Sequence, residues 1–301
     1  MKPKKIIIAG GTGFLGKVLE NYFANKGFET LILTRQPTKS NHTYWNAKDL
    51  GQWVNHLEGA DVLINLTGKS VDCRYTVKNK RLIHDSRINS THILGKAILQ
   101  NINPPKMWLN MSTSTIYKDS YIKQMTEANG DIGNDFSMNI AKSWEAVFNK
   151  FEPPNTKKVI LRTSIVLGKN GGALLPLKSL SKLGLGGKQW HGKQKVSWIH
   201  ETDFARAINF IIENELSGTF NIVSPQPTTN AYLMKSLRHV LKVSIGLPQP
   251  KWLIKLGAKL IRTEPELVLK SRNVIPENLI NNGFKFKHHK IEKALSTLIN
   301  S

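Results

Sequence analysis

Three glycines set the first chemistry this chain could perform. The stretch "IIIAGGTGFLGKVL" spaces Gly10, Gly13 and Gly16 as G-x-x-G-x-x-G, after an apolar run and before an amphipathic helical pattern. In that context a glycine loop cradles a diphosphate. Gly10 allows a tight turn, Gly13 lets backbone approach the phosphates, and Gly16 lets helix and strand pack closely. The helix start, with Thr12, Phe14 and Leu15 around it, offers free N–H groups and a positive dipole end. The expected ligand is a dinucleotide.

The end of the second strand selects which one. An acid there would bind both ribose hydroxyls and repel a 2′-phosphate. The chain instead reads "LILTRQPTKS", with Thr34 and Arg35 lying 18 and 19 residues past Gly16. Arg35 can pair with a phosphate, and Thr34 leaves room for one. NADP(H) is the expected cofactor.

Proton transfer is the second chemistry to look for. The commonest nucleotide-dependent reductases carry a tyrosine on a helix and a lysine four residues on. The tyrosine moves the proton and the lysine lowers its pKa. Here "DFSMNIAKSWEAVF" (135–148) has Met138 four positions before Lys142, and the register counted back from Glu145 has Ser137 and Ala141. Lys142 sits one residue past the lysine slot, a rotation of about 100° on a helix, so it is expected in solvent. Trp144 is expected in the core.

The acid is instead expected in "STSTIYKD", where Tyr117 follows Ser112 by five positions. These two are the candidate catalytic residues. Glu127, further on, is expected to face solvent. His200 and Asp203 suit a loop entering a helix, with Thr202 or Asp203 as its cap. His288 and His289 are adjacent and point apart, with no cysteine or carboxylate at metal spacing, so no metal site is expected.

The elements that must position these residues alternate. Strand patterns at 4–10, 29–34, 61–68, 106–112 and 157–163 are separated by helical ones, notably 78–101 and 135–150. Strands apolar on both faces belong to a parallel sheet covered by helices. The fold class is α/β, a doubly wound Rossmann sheet with a smaller, mostly helical substrate lobe. The cofactor domain is expected over 1–170, with a strand at 218–225 returning to it. The lobe takes 171–195 and 227–301. Within the lobe Lys251, Lys255, Lys259 and Arg262 share one helical face and Trp252, Leu253, Leu256 and Leu260 the other. The apolar face is expected to pack on the lobe.

Composition sets the bounds. The 301 residues are 40% hydrophobic, enough for a large core. A lone cysteine, Cys73, excludes an internal disulfide and suits a reducing compartment. The apolar run Ile6–Ala9 is too short for a signal-peptide core, and no stretch approaches a membrane span. A cytoplasmic protein is expected. Lys and Arg number 43 against 21 Asp and Glu, a net charge of +22. Such a field attracts nucleotides, nucleic acid or an acidic surface, and a solvated lysine-rich surface accounts for it equally.

The segments "GGTGFLG", "NLTGKSV", "RLIHDSRINST", "RTSIVLGKNGGAL", "SWIHETDFARAI", "GTFNIVSPQPTTN" and "IPENLINNGFKF" follow one another along nearly the whole chain. In this order they resemble the bacterial YfcH-like epimerase family. That family is a divergent branch of the extended short-chain dehydrogenase/reductases with a C-terminal domain of unknown function. The resemblance implies an NADP(H)-binding Rossmann domain with a substrate lobe behind it. It implies that Leu66, Thr67 and Gly68 line the cofactor's path and that Ser112 and Thr113 face the nicotinamide. Thr67 replaces the alanine usual in the wider group. The branch itself lacks the tyrosine–lysine pair, so its absence here is a family trait. Two functions are expected to compete. One is an epimerase-like oxidoreductase for a small carbonyl or sugar-derived substrate. The other is a non-catalytic protein that senses NADPH and signals to an acidic partner.

Overall fold

A computed structural model describes residues 4–260 and 263–300. Its centre is a seven-stranded sheet in the order β11-β6-β5-β4-β1-β2-β3. The strands are β1 (Lys5–Ala9), β2 (Glu29–Thr34), β3 (His42–Tyr44), β4 (Val62–Asn65), β5 (Met107–Thr113), β6 (Lys157–Thr163) and β11 (Gly218–Ile222). Every pairing in it is parallel. Ile6, Ile7 and Ile8 are fully buried, as are Leu63 and Ile64, because helices cover both faces. The chain runs outward from β1 to β3, then returns to place β4 on the other side of β1. That reversal is where open α/β sheets leave a crevice at the carboxyl ends of their strands.

Helix α1 (Phe14–Asn25) follows the glycine loop and buries Leu19 and Phe23. On the other face α2 (Val77–Gln100) and α3 (Phe136–Asn149) pack together. Thr76 caps α2 by accepting from Asn79 N, and Asp135 caps α3 by accepting from Met138 N. Trp108 of β5 fills the space under α3, with its ring 4.5 Å from that of Phe148.

Beyond β6 come β7 (Ile165–Gly168), β8 (Gly171–Gly172), α4 (Leu174–Lys182), β9 (Lys195–Val196), β10 (Trp198–His200) and α5 (Glu201–Glu213). After β11 come β12 (Thr228–Thr229), α6 (Asn230–Leu241), α7 (Lys251–Leu260), α8 (Glu266–Leu269), α9 (Glu277–Asn281) and α10 (Ile291–Asn300). A second core joins Leu174, Trp198, Leu233, Leu237, Leu295 and Leu298.

The structure corrects the expectation for α7. Trp252, Leu256 and Leu260 are 66%, 48% and 75% exposed, and the residue this helix buries is Ala258. The helix packs on its Ile254–Ala258 side, so most of its apolar ridge faces out. Arg262 lies outside the described residues. Among the described residues no helix is long and apolar enough to cross a membrane.

Candidate functional site

Gly10 closes β1 with φ 74°, a left-handed conformation that suits glycine. Its N–H donates to Leu33 O at 2.9 Å, tying the loop to β2. Gly13 is the N-cap of α1, and a Cβ there would meet nothing within 4 Å. The first turn carries no acid, so the helix end is open and positively polarised. At Gly16 a Cβ would come 2.0 Å from Gly11 O, so only glycine lets the helix pack against the loop backbone. Thr12 is exposed; Phe14 and Leu15 are half-buried. The Phe14 ring fills the space beside Gly168 and Gly171, where a Cβ would come within 2.3 Å of it.

Beside the loop, Thr34, Arg35, Thr38, Lys39, His42 and Thr12 line a cleft of about 590 Å³. Thr34 is buried and accepts from Gln36 N at 3.3 Å. Arg35 is exposed at its mouth. Glu20 also lines the cleft. Burial opposes its charge, yet bonds from Asn41 at 3.1 Å and Lys39 at 3.2 Å hold its carboxyl below the usual range. The sequence reading did not single out Thr38, Lys39 or His42. Their proximity to Arg35 along "TRQPTKSNH" was the signal.

Thr67 faces the glycine loop from the end of β4. A Cβ on Gly10 would lie 2.8 Å from its Oγ1, which is buried without a hydrogen-bond partner. Leu66 packs on the main core. Gly68 abuts the guanidinium of Arg87, to which a Cβ would come within 3.0 Å. Arg87 donates to Lys69 O and Ile83 O and stacks over the Trp144 ring. Burial pushes Arg87 down to about 10. Trp144 is itself buried, as expected.

Ser112 and Tyr117, the two candidate catalytic residues, belong to one buried hydrogen-bonded chain. Ser112 Oγ donates to Glu145 Oε1 at 2.6 Å, and Arg162 donates to both Glu145 oxygens at 2.8 and 2.7 Å. Arg162 Nη1 also donates to Tyr117 Oη at 2.8 Å, and that hydroxyl donates to Asn221 Oδ1 at 3.0 Å. Tyr117 has no exposed surface. Burial raises its pKa despite Arg162. For Arg162, burial works against the charge, but Glu145 overcomes it and pushes the pKa upward. Thr113 is half-buried and bonds locally to Thr115.

Glu127 is not the solvent-facing group expected. It accepts from Asn221 N at 2.7 Å, and burial raises its pKa. On α3, Met138 and Ala141 are buried, whereas Lys142 is bonded to Asn134 at 2.6 Å on the outer side. Nor does Thr202 or Asp203 cap α5. His200 does, accepting from Thr202 N at 3.0 Å. Asp203 is fully buried and holds Arg206 and the backbone N–H groups of Lys287 and His288. Among the described residues no group of three or more His, Cys, Asp or Glu could hold a metal ion.

A further cluster went unread in the sequence. Tyr75, just before α2, places its ring edge-on to Phe136 at 4.8 Å. Its hydroxyl is buried beside Ser137, without a hydrogen bond of normal geometry. Burial pushes this phenol up to about 12. Tyr75 N donates to Glu264 Oε1 at 2.6 Å, and Arg74 pairs with the same carboxylate at 3.3 Å. Ser137 Oγ donates to Glu266 Oε1 at 2.6 Å, and Lys270 bridges Glu266 and Asp135. Ser137 is one of the two vacant tyrosine positions on α3. A phenol therefore reaches that position from a different element. No spacing could reveal it, because the contact is made by tertiary packing.

The profile of the NAD dependent epimerase/dehydratase family matches residues 6–223, and that of a domain of unknown function, DUF1731, matches 249–298. An epimerase family protein of Staphylococcus aureus is 33% identical over 302 residues, covering 98% of this chain and 99% of its own. The epimerase family protein SDR39U1 of Mus musculus is 28% identical with the same coverage. The crystal structure of human SDR39U1 (isoform 2) with NADPH superposes with a TM-score of 0.90 at 26% identity, covering 99% of both chains.

Proposed function

Since the chain belongs to the NAD-dependent epimerase/dehydratase family, we propose that it is an NADP(H)-binding, epimerase-like oxidoreductase for a small carbonyl or sugar-derived substrate. The observation that carries this is the pairing of an open glycine loop with a basic cleft at the end of β2. A relative crystallised with NADPH supports the same cofactor.

The residues present fit that group. The backbone of Gly10, Thr12, Gly13, Phe14, Leu15 and Gly16 would hold the pyrophosphate. Thr34 and Arg35, joined by Lys39, would take the 2′-phosphate. Leu66, Thr67 and Gly68 would line the path, with the unpartnered Thr67 hydroxyl as a donor. Ser112 and Thr113 would stand at the nicotinamide end. When bound, the cofactor supplies or accepts a hydride.

The protein's task is then to hold and deliver a proton. Tyr117 could donate one only by exchanging its bond to Asn221 for one to the substrate. Tyr75 Oη has Ser137 beside it but no hydrogen bond of normal geometry to give up. We therefore put Tyr75 Oη first as donor. Ser112 and Tyr117 act through the Glu145–Arg162 chain, with Tyr117 as the second candidate. A phenol raised to about 12 stays protonated near neutral pH, which favours carbonyl reduction over alcohol oxidation. The test is calorimetry with NADPH and NADH, then NADPH consumption against a panel of small carbonyls. Equal affinity for the two cofactors would overturn the cofactor assignment.

Two observations favour a second reading, in which the protein senses NADPH without turnover. Both hydroxyls expected at the carbonyl are committed to buried partners, and α3 carries no tyrosine–lysine pair. NADPH binding with no consumption across the panel would support it.

A further inference from the structure

No Asp or Glu occurs between Glu215 and Glu264, while this stretch carries Lys235, Arg238, Lys242, Lys251, Lys255 and Lys259. Helix α7 lies within it. Lys251, Lys255 and Lys259 recur every four residues and form one exposed ridge. Trp252, Leu256 and Leu260 recur at the same interval, one residue further round. That second ridge is also open to solvent at all three positions. Ile245 and Leu247, just before the helix, are 66% and 57% exposed. An apolar ridge is thus laid directly beside a cationic one, with no carboxylate on the helix itself.

We propose that this side of α7 docks on an anionic lipid surface. A helix with lysines on its polar side and Trp and Leu beside them lies in the headgroup layer. Trp252 would sit at headgroup level. The lysine stems would run along the apolar boundary while their ammonium groups meet lipid phosphates. Two other occupants fit less well. A second copy of the chain would set lysine ridge against lysine ridge. A protein partner would have to bury lysines, which interface cores exclude.

Co-sedimentation with phosphatidylcholine vesicles containing about 30 mol % phosphatidylserine, against phosphatidylcholine alone, tests this. The full chain should bind the acidic vesicles at low salt and leave them as salt rises. Each lysine near such a surface contributes about fivefold. The triple change Lys251→Gln, Lys255→Gln, Lys259→Gln should therefore weaken binding about 100-fold. Trp252→Ser with Leu256→Ser should weaken it about tenfold or more. All five side chains are exposed, so the fold should persist by circular dichroism. Lys150→Gln, an exposed change at the end of α3, should have little effect. Failure of the unaltered protein to bind acidic vesicles at low salt would overturn the proposal. So would binding that survives the triple change. A concentration-dependent rise in mass that Trp252→Ser abolishes, without vesicle binding, would assign the ridge to a protein contact instead.

Discussion

Gly10 and Thr67 face each other across the point where the sheet reverses its strand order. A side chain on Gly10 would strike the Thr67 hydroxyl, which is buried and bonded to nothing. An unpaired buried hydroxyl is a cost to the free protein. Thr67→Val should therefore leave thermal stability unchanged or raise it by about 1 kcal/mol. If that hydroxyl serves the cofactor, NADPH affinity should fall about 5–10-fold. Unaltered affinity by calorimetry would show that Thr67 does not touch the cofactor.

Arg35 should set the choice of cofactor. A charge-assisted bond to a phosphate contributes about 1.5–3 kcal/mol. Arg35→Ala should weaken NADPH by about 10–100-fold and leave NADH nearly unchanged. Lys39→Ala should cost less, because Lys39 is shared with Glu20. The two dissociation constants, measured side by side at fixed salt, check this.

The two tyrosines should separate stability from turnover. Tyr117→Phe strips a partner from both Arg162 and Asn221 inside the protein. It should cost about 1–3 kcal/mol in urea unfolding. Tyr75→Phe removes a hydroxyl that makes no hydrogen bond of normal geometry and should cost little stability. It should lower kcat by about 10²-fold once a substrate is in hand. Lys142→Ala should change neither. A crippling effect at Lys142 would mean that α3 works in a shifted register.

How much of this was legible beforehand depended on whether a contact was local. Strands β2 and β6 fall where the apolar runs predict them, at 29–34 and 157–163. Strand β3, only "HTY", has no apolar run and exists because it pairs with β2. The glycine spacing follows from local geometry, whereas Lys142, expected in solvent, is half-buried and bonded to Asn134. The orientation of α7 does not, since periodicity reveals two faces but not which one meets the protein. The buried chain from Ser112 to Asn221 joins four separate elements and has no sequence signature.

Acid should weaken the protein through His200. Burial, joined by the His288 ring stacked 3.8 Å away, pushes His200 down to about 4. An unfolded histidine titrates near pH 6.5. Between about pH 6.5 and 4 the unfolded chain binds the extra proton, so stability is complete above that window and is lost as pH falls through it. The loss should approach about 3 kcal/mol. His200→Asn keeps an acceptor for Thr202 N and should flatten the profile. Parallel urea curves at pH 7.5 and 5 for the two proteins decide it. An equal pH loss in both would exonerate His200.

Strand β11 pairs only along the outer side of β6. During synthesis every other strand of the main sheet has left the ribosome by Thr163, yet the β6 edge stays bare until Ile222 emerges. For that interval the nascent chain displays an unpaired row of peptide groups on an apolar strand, the kind of edge that recruits foreign strands. Safe production of the protein therefore depends on how fast the ribosome delivers those intervening residues, and on whether a chaperone shields the edge meanwhile.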